Sequence, residues 1–252
     1  MGDGYEPKIL AFLCRWCSYA AADLAGVSRC QYPPNLRTLL TLCSGRVDPV
    51  FVLEGLKSGF DGVFVFGCHP GDCHYLDGNL YTAKRMQVLR HLLEIAGLGP
   101  DRLQLRWVSS AEGQLFARYV TELTEVIRDL GPLDREGLRL PLAAVGRALE
   151  TVQLRWLMNM ERQLTERENV FHEKLDVQAY EAALKRSAED EYQKALLWEV
   201  LKEGPKTVPE MAQQTGLPVY TVSLRLNDLE RCGLADVSGH EGTTFKFKLL
   251  AA

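Results

Sequence analysis

Five cysteines fall in three short stretches: Cys14 with Cys17, then Cys43, then Cys68 with Cys73. The spacing is C-x2-C, 25 residues, C, 24 residues, C-x4-C. Thiolates are the soft donors that hold iron–sulfur clusters, four to a cluster. The third stretch, Gly67-Cys68-His69-Pro70-Gly71-Asp72-Cys73-His74, has a Pro-Gly turn that lets the loop double back, so both its thiols can face one centre. Thiols drawn from distant loops differ from the tight bacterial ferredoxin run and are closer to plant-type ligation of a two-iron cluster. The five read as the ligand set of one [2Fe–2S] cluster with one thiol over, and spacing does not choose which. Sulfur anions need donors and cations nearby; Arg15, Arg46 and the amides of Gly45, Gly67 and Gly71 are candidates. Trp16, Tyr19 and Tyr75 are placed to limit water access, which tunes reduction potential.

The same thiols could hold a structural zinc ion. His69 and His74 could join two thiolates in a Rieske-like set, but enough thiols are present without them, and the histidines read as hydrogen-bonding or solvated. Cys30 and Cys232 lie outside the motifs and read as small apolar residues. Asp77-Gly78-Asn79 reads as a turn. No catalytic residue is indicated.

Positioning these thiols falls to alternating elements. Strands are expected at 8–13, 36–42, 62–66 and 103–108. Helices are expected from Asp48-Pro49 to Lys57, over 82–96 and over 112–130. Asp48 and Pro49 are an N-cap and first-position pair, and Gly131-Pro132 is a stop. Alternation of this kind implies α/β architecture: a four-stranded parallel sheet with flanking helices, flavodoxin-like. Ligands in such sheets sit beyond the carboxyl ends of the strands. Each cysteine group follows a strand end, so three distant stretches meet at one edge if the strands are parallel and adjacent.

After Pro132 the pattern changes. Residues 1–132 read as the thiol-bearing domain, 133–190 as an all-α linker, and 191–252 as a winged-helix-like docking domain. Residues 141–171 read as one long helix with Leu142, Val145, Leu149, Val152, Trp156, Met160 and Leu164 on its apolar stripe. Further helices are expected at 177–186, 191–202 and 219–231, the last being the DNA-reading helix of DNA-binding relatives, followed by a hairpin wing. Between Pro205 and Leu250 there are five Lys/Arg and five Asp/Glu, a neutral surface that argues for protein docking and against nucleic acid.

The formal net charge of −4 gives no general attraction to polyanions or anionic membrane. No stretch approaches the ~20 apolar residues of a membrane span. Residues 1–7 lack the pattern of a secretory signal, and free thiols suit a reducing compartment, so the expected location is cytoplasmic.

Phe12-Leu13-Cys14-Arg15-Trp16-Cys17-Ser18-Tyr19 with Ala22-Asp23, Tyr32-Pro33-Pro34-Asn35, Cys43-Ser44-Gly45-Arg46-Val47-Asp48 and Gly67-Cys68-His69-Pro70-Gly71-Asp72-Cys73-His74-Tyr75 carry a resemblance. Asp77-Gly78-Asn79 and Ser110-Ala111-Glu112-Gly113 extend it. Over residues 7–132 the chain resembles the iron–sulfur delta subunit of methyl-viologen-reducing hydrogenase (the MvhD-like family). The resemblance implies a non-catalytic electron-transfer subunit. Its [2Fe–2S] cluster would relay single electrons from a hydrogenase, formate or NADH dehydrogenase-like donor to the flavin of a heterodisulfide-reductase-A-like subunit. Residues 133–252 depart from that pattern and leave the partner open. The competing function is an iron–sulfur redox-sensing transcriptional regulator that binds DNA through the C-terminal winged helix.

Overall fold

A computed structural model describes residues 4–250. The chain divides into two compact units, one ending at Arg135 and the other beginning at Glu136.

The first unit is built on strands β1 (Ile9–Cys14), β2 (Leu36–Thr41), β3 (Gly62–Gly67) and β4 (Leu103–Trp107), all parallel, in the order β2-β1-β3-β4. β1 and β3 are buried along their whole length, as central strands of a parallel sheet covered on both faces must be. Helices α1 (Ser18–Val27) and α4 (Gly113–Leu130) cover one face, packing Ala21, Ala25, Phe116, Val120, Leu123 and Ile127 onto Ile9, Leu13, Phe64 and Phe66. Helix α2 (Pro49–Lys57) lies on the other face, where Gly55 approaches Leu10 and Val63 closely. Helix α3 (Gly78–Ile95) buries Met86, Leu89, Leu92 and Leu93. The Asp48 carboxylate accepts the Val50 amide at 3.0 Å and Pro49 opens α2, as the sequence predicts. The expected parallel α/β sheet is therefore observed. One local expectation fails: Asp77-Gly78-Asn79 is not a free turn but the start of α3, whose first turn precedes Thr82.

The amino ends of the strands are tied by a polar network. Asp61, 5% exposed, accepts the Lys8 amide at 3.1 Å, the Leu133 amide at 3.2 Å and Arg135. Arg102 donates to the carbonyls of Leu98, Asp61 and Gly131. Burial alone would raise the Asp61 pKa, but the Lys8 and Leu133 amides outweigh it and the net shift is downward. A depressed folded pKa contributes stability that is present above the unfolded carboxylate pKa and lost as pH falls through the folded value. Asp61→Ala strands two amides and is expected to cost roughly 3 kcal/mol in denaturant unfolding at pH 7. The difference from wild type should begin to shrink below about pH 4, where the unfolded-state carboxylate protonates, and go on shrinking as pH falls through the lower folded value.

The second unit opens with α5 (Arg139–Glu150) and α6 (Val152–Thr165). These correct the single helix expected over 141–171. Thr151 is extended (φ −66°, ψ 138°) and interrupts it. The interruption rotates the apolar stripe, so α6 buries Leu154 and Met158 while Val152 and Trp156 are 84% and 50% exposed. Helix α7 (Val177–Leu201) is one 25-residue helix where two were expected, capped by Asp176 on the Ala179 amide at 2.8 Å. Short strand β5 (Lys206–Thr207), α8 (Val208–Thr215), α9 (Val219–Arg231) and the hairpin β6 (Ala235–Glu241) with β7 (Thr244–Leu249) complete a winged-helix arrangement, with sheet order β5-β7-β6. Thr207 and Glu210 form a reciprocal capping box at the start of α8. β6 continues past Gly239 to Glu241, with an irregularity in register between Val237 and Gly239. Among the described residues, no helix is long and apolar enough to cross a membrane.

Candidate metal centre

The sheet order brings the cysteines together. β1 lies between β2 and β3, so the loops that follow all three strands open side by side at the carboxyl edge. Cys14 ends β1, Cys17 precedes the first residue of α1, Cys43 follows β2, Cys68 follows β3, and Cys73 lies in the loop before α3. The chain also reverses direction of winding between β1 and β3, the usual place for a ligand crevice. All five cysteines are 7% exposed or less and form one buried group. The sulfurs of Cys14, Cys17 and Cys68 lie within 4.8 Å of one another, with Cys14 and Cys68 at 3.9 Å. Cys43 and Cys73 meet at Gly78, where a Cβ would stand 2.5 Å and 3.4 Å from their sulfurs. Cys30 is packed at the edge of the sheet core and Cys232 is exposed; neither belongs to the group.

Buried polar side chains hold the loops in place. The Ser18 hydroxyl accepts the Cys14 amide at 2.8 Å and donates to the Phe66 carbonyl at 3.0 Å, locking β1's end to β3's. Asn79 donates through Nδ2 to the carbonyls of Cys68 at 3.0 Å and His69 at 2.8 Å. Thr82 donates to Ser44 at 3.1 Å, and Arg85 to the Gly45 carbonyl at 2.7 Å. Gly45 in turn donates its amide to the Cys43 sulfur at 3.4 Å. Of these only Gly45 is foreseen from sequence. Ser18, Asn79 and Thr82 act through contacts between distant segments, and the only local hint is a small polar pair, Gly78-Asn79, soon after Cys73.

The two histidines are engaged elsewhere. His69 pairs with Glu112 at 2.7 Å, and Glu112 also accepts the Ser109 amide at 2.7 Å, which joins the Cys68 loop to the β4–α4 loop. These two interactions, the Ser109 amide first, lower the Glu112 pKa. His74 stacks on Trp16 with centroids 3.8 Å apart, and Trp16 Nε1 donates to the Tyr75 hydroxyl at 3.2 Å. Arg15 lies 5.8 Å over the Trp16 ring. Trp16, His74 and Tyr75 thus form one aromatic group next in sequence to Cys17 and Cys73, with Trp16 and Tyr75 about half exposed. Tyr19 is not part of it: it packs against the sheet core.

Without a cation the thiols share protons. Hydrogen bonds from Cys17 and then Cys68 hold the Cys14 thiol down to about 2. The same bond to Cys14 drives Cys17 upward, and Cys14 also pushes Cys68 up to about 11. Burial pushes Cys43 up to about 11 against the pull of the Gly45 amide. The charge belongs to the group, since each bond stabilises one thiolate at the expense of its partner. A buried set that cannot ionise fully alone suits a cation, which takes the place of the protons. The donors are all sulfur, with no carboxylate or imidazole among them, and this fits iron–sulfur or zinc chemistry.

Fold and site together define a class: an α/β domain with a thiol metal centre at the carboxyl edge of a parallel sheet. Residues 9–131 match the family described as methyl-viologen-reducing hydrogenase, delta subunit, and the chain belongs to that family over this span. The iron–sulfur subunit of the F420-non-reducing hydrogenase of Archaeoglobus profundus is 46% identical over 136 residues, covering 54% of this chain and 99% of the relative. The iron–sulfur subunit of the vhc F420-non-reducing hydrogenase of Methanococcus voltae is 44% identical over 132 residues, covering 52% and 92%. The A-type subunit of the ferredoxin:CoB-CoM heterodisulfide reductase of Methanosarcina mazei is 49% identical over 130 residues, but the match spans only 16% of that longer protein. The family match ends at residue 131, before the second unit.

Proposed function

We propose that this chain is a non-catalytic electron-transfer subunit carrying one [2Fe–2S] cluster held by four of Cys14, Cys17, Cys43, Cys68 and Cys73. The observation that carries the reading is the single buried group of five thiols at the carboxyl edge of the sheet. When bound, such a cluster supplies one-electron chemistry. The protein's part is to hold the sulfurs, donate the Gly45 amide to one of them, and shield the site with Trp16, His74 and Tyr75. The donor is a hydrogenase, formate or NADH dehydrogenase-like subunit, and the acceptor is the flavin of a heterodisulfide-reductase-A-like subunit. Support for the hydrogenase and the heterodisulfide-reductase partners comes from the relatives' names, which are those of hydrogenase iron–sulfur subunits and of heterodisulfide reductase chains; the formate and NADH dehydrogenase-like donors and the flavin rest on the family resemblance alone. The working location is the cytoplasm.

Anaerobic purification tests the cluster. Brown protein with about two irons and two acid-labile sulfides, reducible by one electron, is the expected result. Colourless protein with stoichiometric zinc would sink it. Reduced protein should then reduce the flavin of the heterodisulfide-reductase-A-like subunit.

The winged-helix domain at 191–252 serves, in this reading, to dock a protein partner. Arg225, the central cation of α9, points inward and is spent on Asp190, Gln193 and Asp228. The exposed residues of α9 are Val219, Tyr220, Ser223, Leu224 and Asn227, all uncharged, and Arg231 at its last position, the one exposed cation of the helix. DNA binding draws most of its affinity from cations on phosphates. A gel shift at physiological salt is therefore expected to show no sequence-specific retention in either redox state; retention would favour the redox-sensing regulator.

A further inference from the structure

Parallel sheets are normally covered on both faces, yet β2 is not. Leu39 and Leu40 are successive residues and so point to opposite faces. They are 47% and 52% exposed. Leu42, just beyond the strand, and Phe51, in the first turn of α2, are 58% and 54% exposed. Among the described residues β2 pairs only with β1, so its outer row of amides and carbonyls has no sheet partner there. Proteins usually blunt such an edge with proline, a bulge or several charges. Here the run Leu36-Arg37-Thr38-Leu39-Leu40-Thr41-Leu42 contains one charge and no proline. At its carboxyl end the edge leads into a pocket of about 370 Å³ lined by Leu42, Cys43, Arg46, Tyr75, Tyr81 and Arg85. The apolar edge and the metal centre are thus continuous, joined at Leu42-Cys43.

The relatives point to an occupant. In the two Methanosarcina heterodisulfide reductase chains this domain is 16% of a longer protein at 49% identity, so there it is joined covalently to the rest of the reductase chain. In the hydrogenase iron–sulfur relatives, by contrast, the same domain makes up 92% and 99% of a separate chain. Resting on the electron-relay reading above, we propose that the free edge of β2, with Leu42 and Phe51, is the docking strip for the heterodisulfide-reductase-A-like subunit. That partner lays an extended apolar segment alongside β2, covering Leu39 on one face and Leu40 on the other. Strand addition of this kind draws affinity from backbone hydrogen bonds and specificity from alternate side chains. It would bring the partner up to the Cys43 side of the centre.

The test uses the full chain, purified anaerobically, and the heterodisulfide-reductase-A-like subunit of the same organism. The double variant Leu39→Lys with Leu40→Lys should bind that partner at least about tenfold more weakly while keeping wild-type iron and sulfide. Val27→Lys, at a position 83% exposed on α1, should bind as wild type does. A photo-cross-linking amino acid in place of Leu40 should join the chain to the same partner, which keeps the proposal testable if the double variant folds poorly. Unchanged affinity of a folded double variant overturns it. So does a cross-link to a second copy of this chain, which would assign the strip to self-association. Tight binding by both wild type and double variant leaves the relay intact and removes only the docking strip. Failure of the wild-type protein to bind the partner at all removes the relay's acceptor as well.

Discussion

Four of the five single serine variants at Cys14, Cys17, Cys43, Cys68 and Cys73 are expected to leave anaerobic purification nearly free of iron, and the fifth to keep it. Four thiolates complete an iron–sulfur cluster, so one of the five is dispensable as a ligand. A serine oxygen is harder than sulfur and carries a shorter bond to its Cβ, so it cannot replace a thiolate held at a fixed place. The places are fixed: the Cys14 amide is bound by Ser18, and the Cys68 carbonyl by Asn79. Weakening a partner that merely supports a ligand costs about 10–100-fold in metal affinity, and losing the ligand costs more. Cys30→Ser and Cys232→Ser are the controls and should retain wild-type iron, since neither belongs to the buried group. Iron and acid-labile sulfide per chain, with the spectrum of the reduced protein, are the readouts. Loss of iron in Cys30→Ser, or full iron in all five cluster variants, would show that the thiol group does not hold the metal. The variant that keeps its iron identifies the extra thiol.

Gly78→Ala is expected to lower cluster loading by about tenfold or more while leaving the metal-free chain as stable as wild type. Two effects compete at this position. Ala is the better helix former by about 1 kcal/mol, which would stabilise the first turn of α3. A Cβ at residue 78 would, however, lie 2.5 Å from the Cys43 sulfur, well inside contact distance. The backbone at Gly78 is not left-handed, so its glycine is explained by space rather than by conformation. Gly45 completes the fit, since a Cβ there would stand 2.8 Å from the Gly78 carbonyl oxygen. In the metal-free protein the Cys43 side chain can rotate away, so the clash costs little. Once the sulfur is tied to a cluster it cannot move, and the clash falls on the loaded state alone. Thermal unfolding of the metal-free variant beside its iron content separates the two effects. A wild-type iron content in Gly78→Ala would mean that Cys43 is free to sit elsewhere.

Much of this site is legible because its ingredients are local. Continuous apolar runs mark β1 and β3, and Asp48-Pro49 and Gly131-Pro132 mark where helices start and stop. The position of each cysteine group just past a strand end follows from the same reading. Local patterns are less reliable where an element's edge is set by what packs on it. The stripe through Val152 and Trp156 has helical spacing, but extended Thr151 divides the segment and turns those two residues outward. Helix α7 passes without a break through a stretch whose sequence suggests two helices.

Strand character, helix punctuation and the order of thiols along the chain follow from the sequence alone, because each depends on neighbours within a turn or two. The tertiary structure alone decided that β1 lies between β2 and β3, that α3 starts early enough for Gly78 and Asn79 to meet Cys43 and Cys68, and that Asp61, Arg102 and Arg135 tie the opposite edge. Those contacts join residues far apart in the chain. They are selected by the packing of whole elements and by the need to satisfy every buried polar group, and no local pattern encodes either.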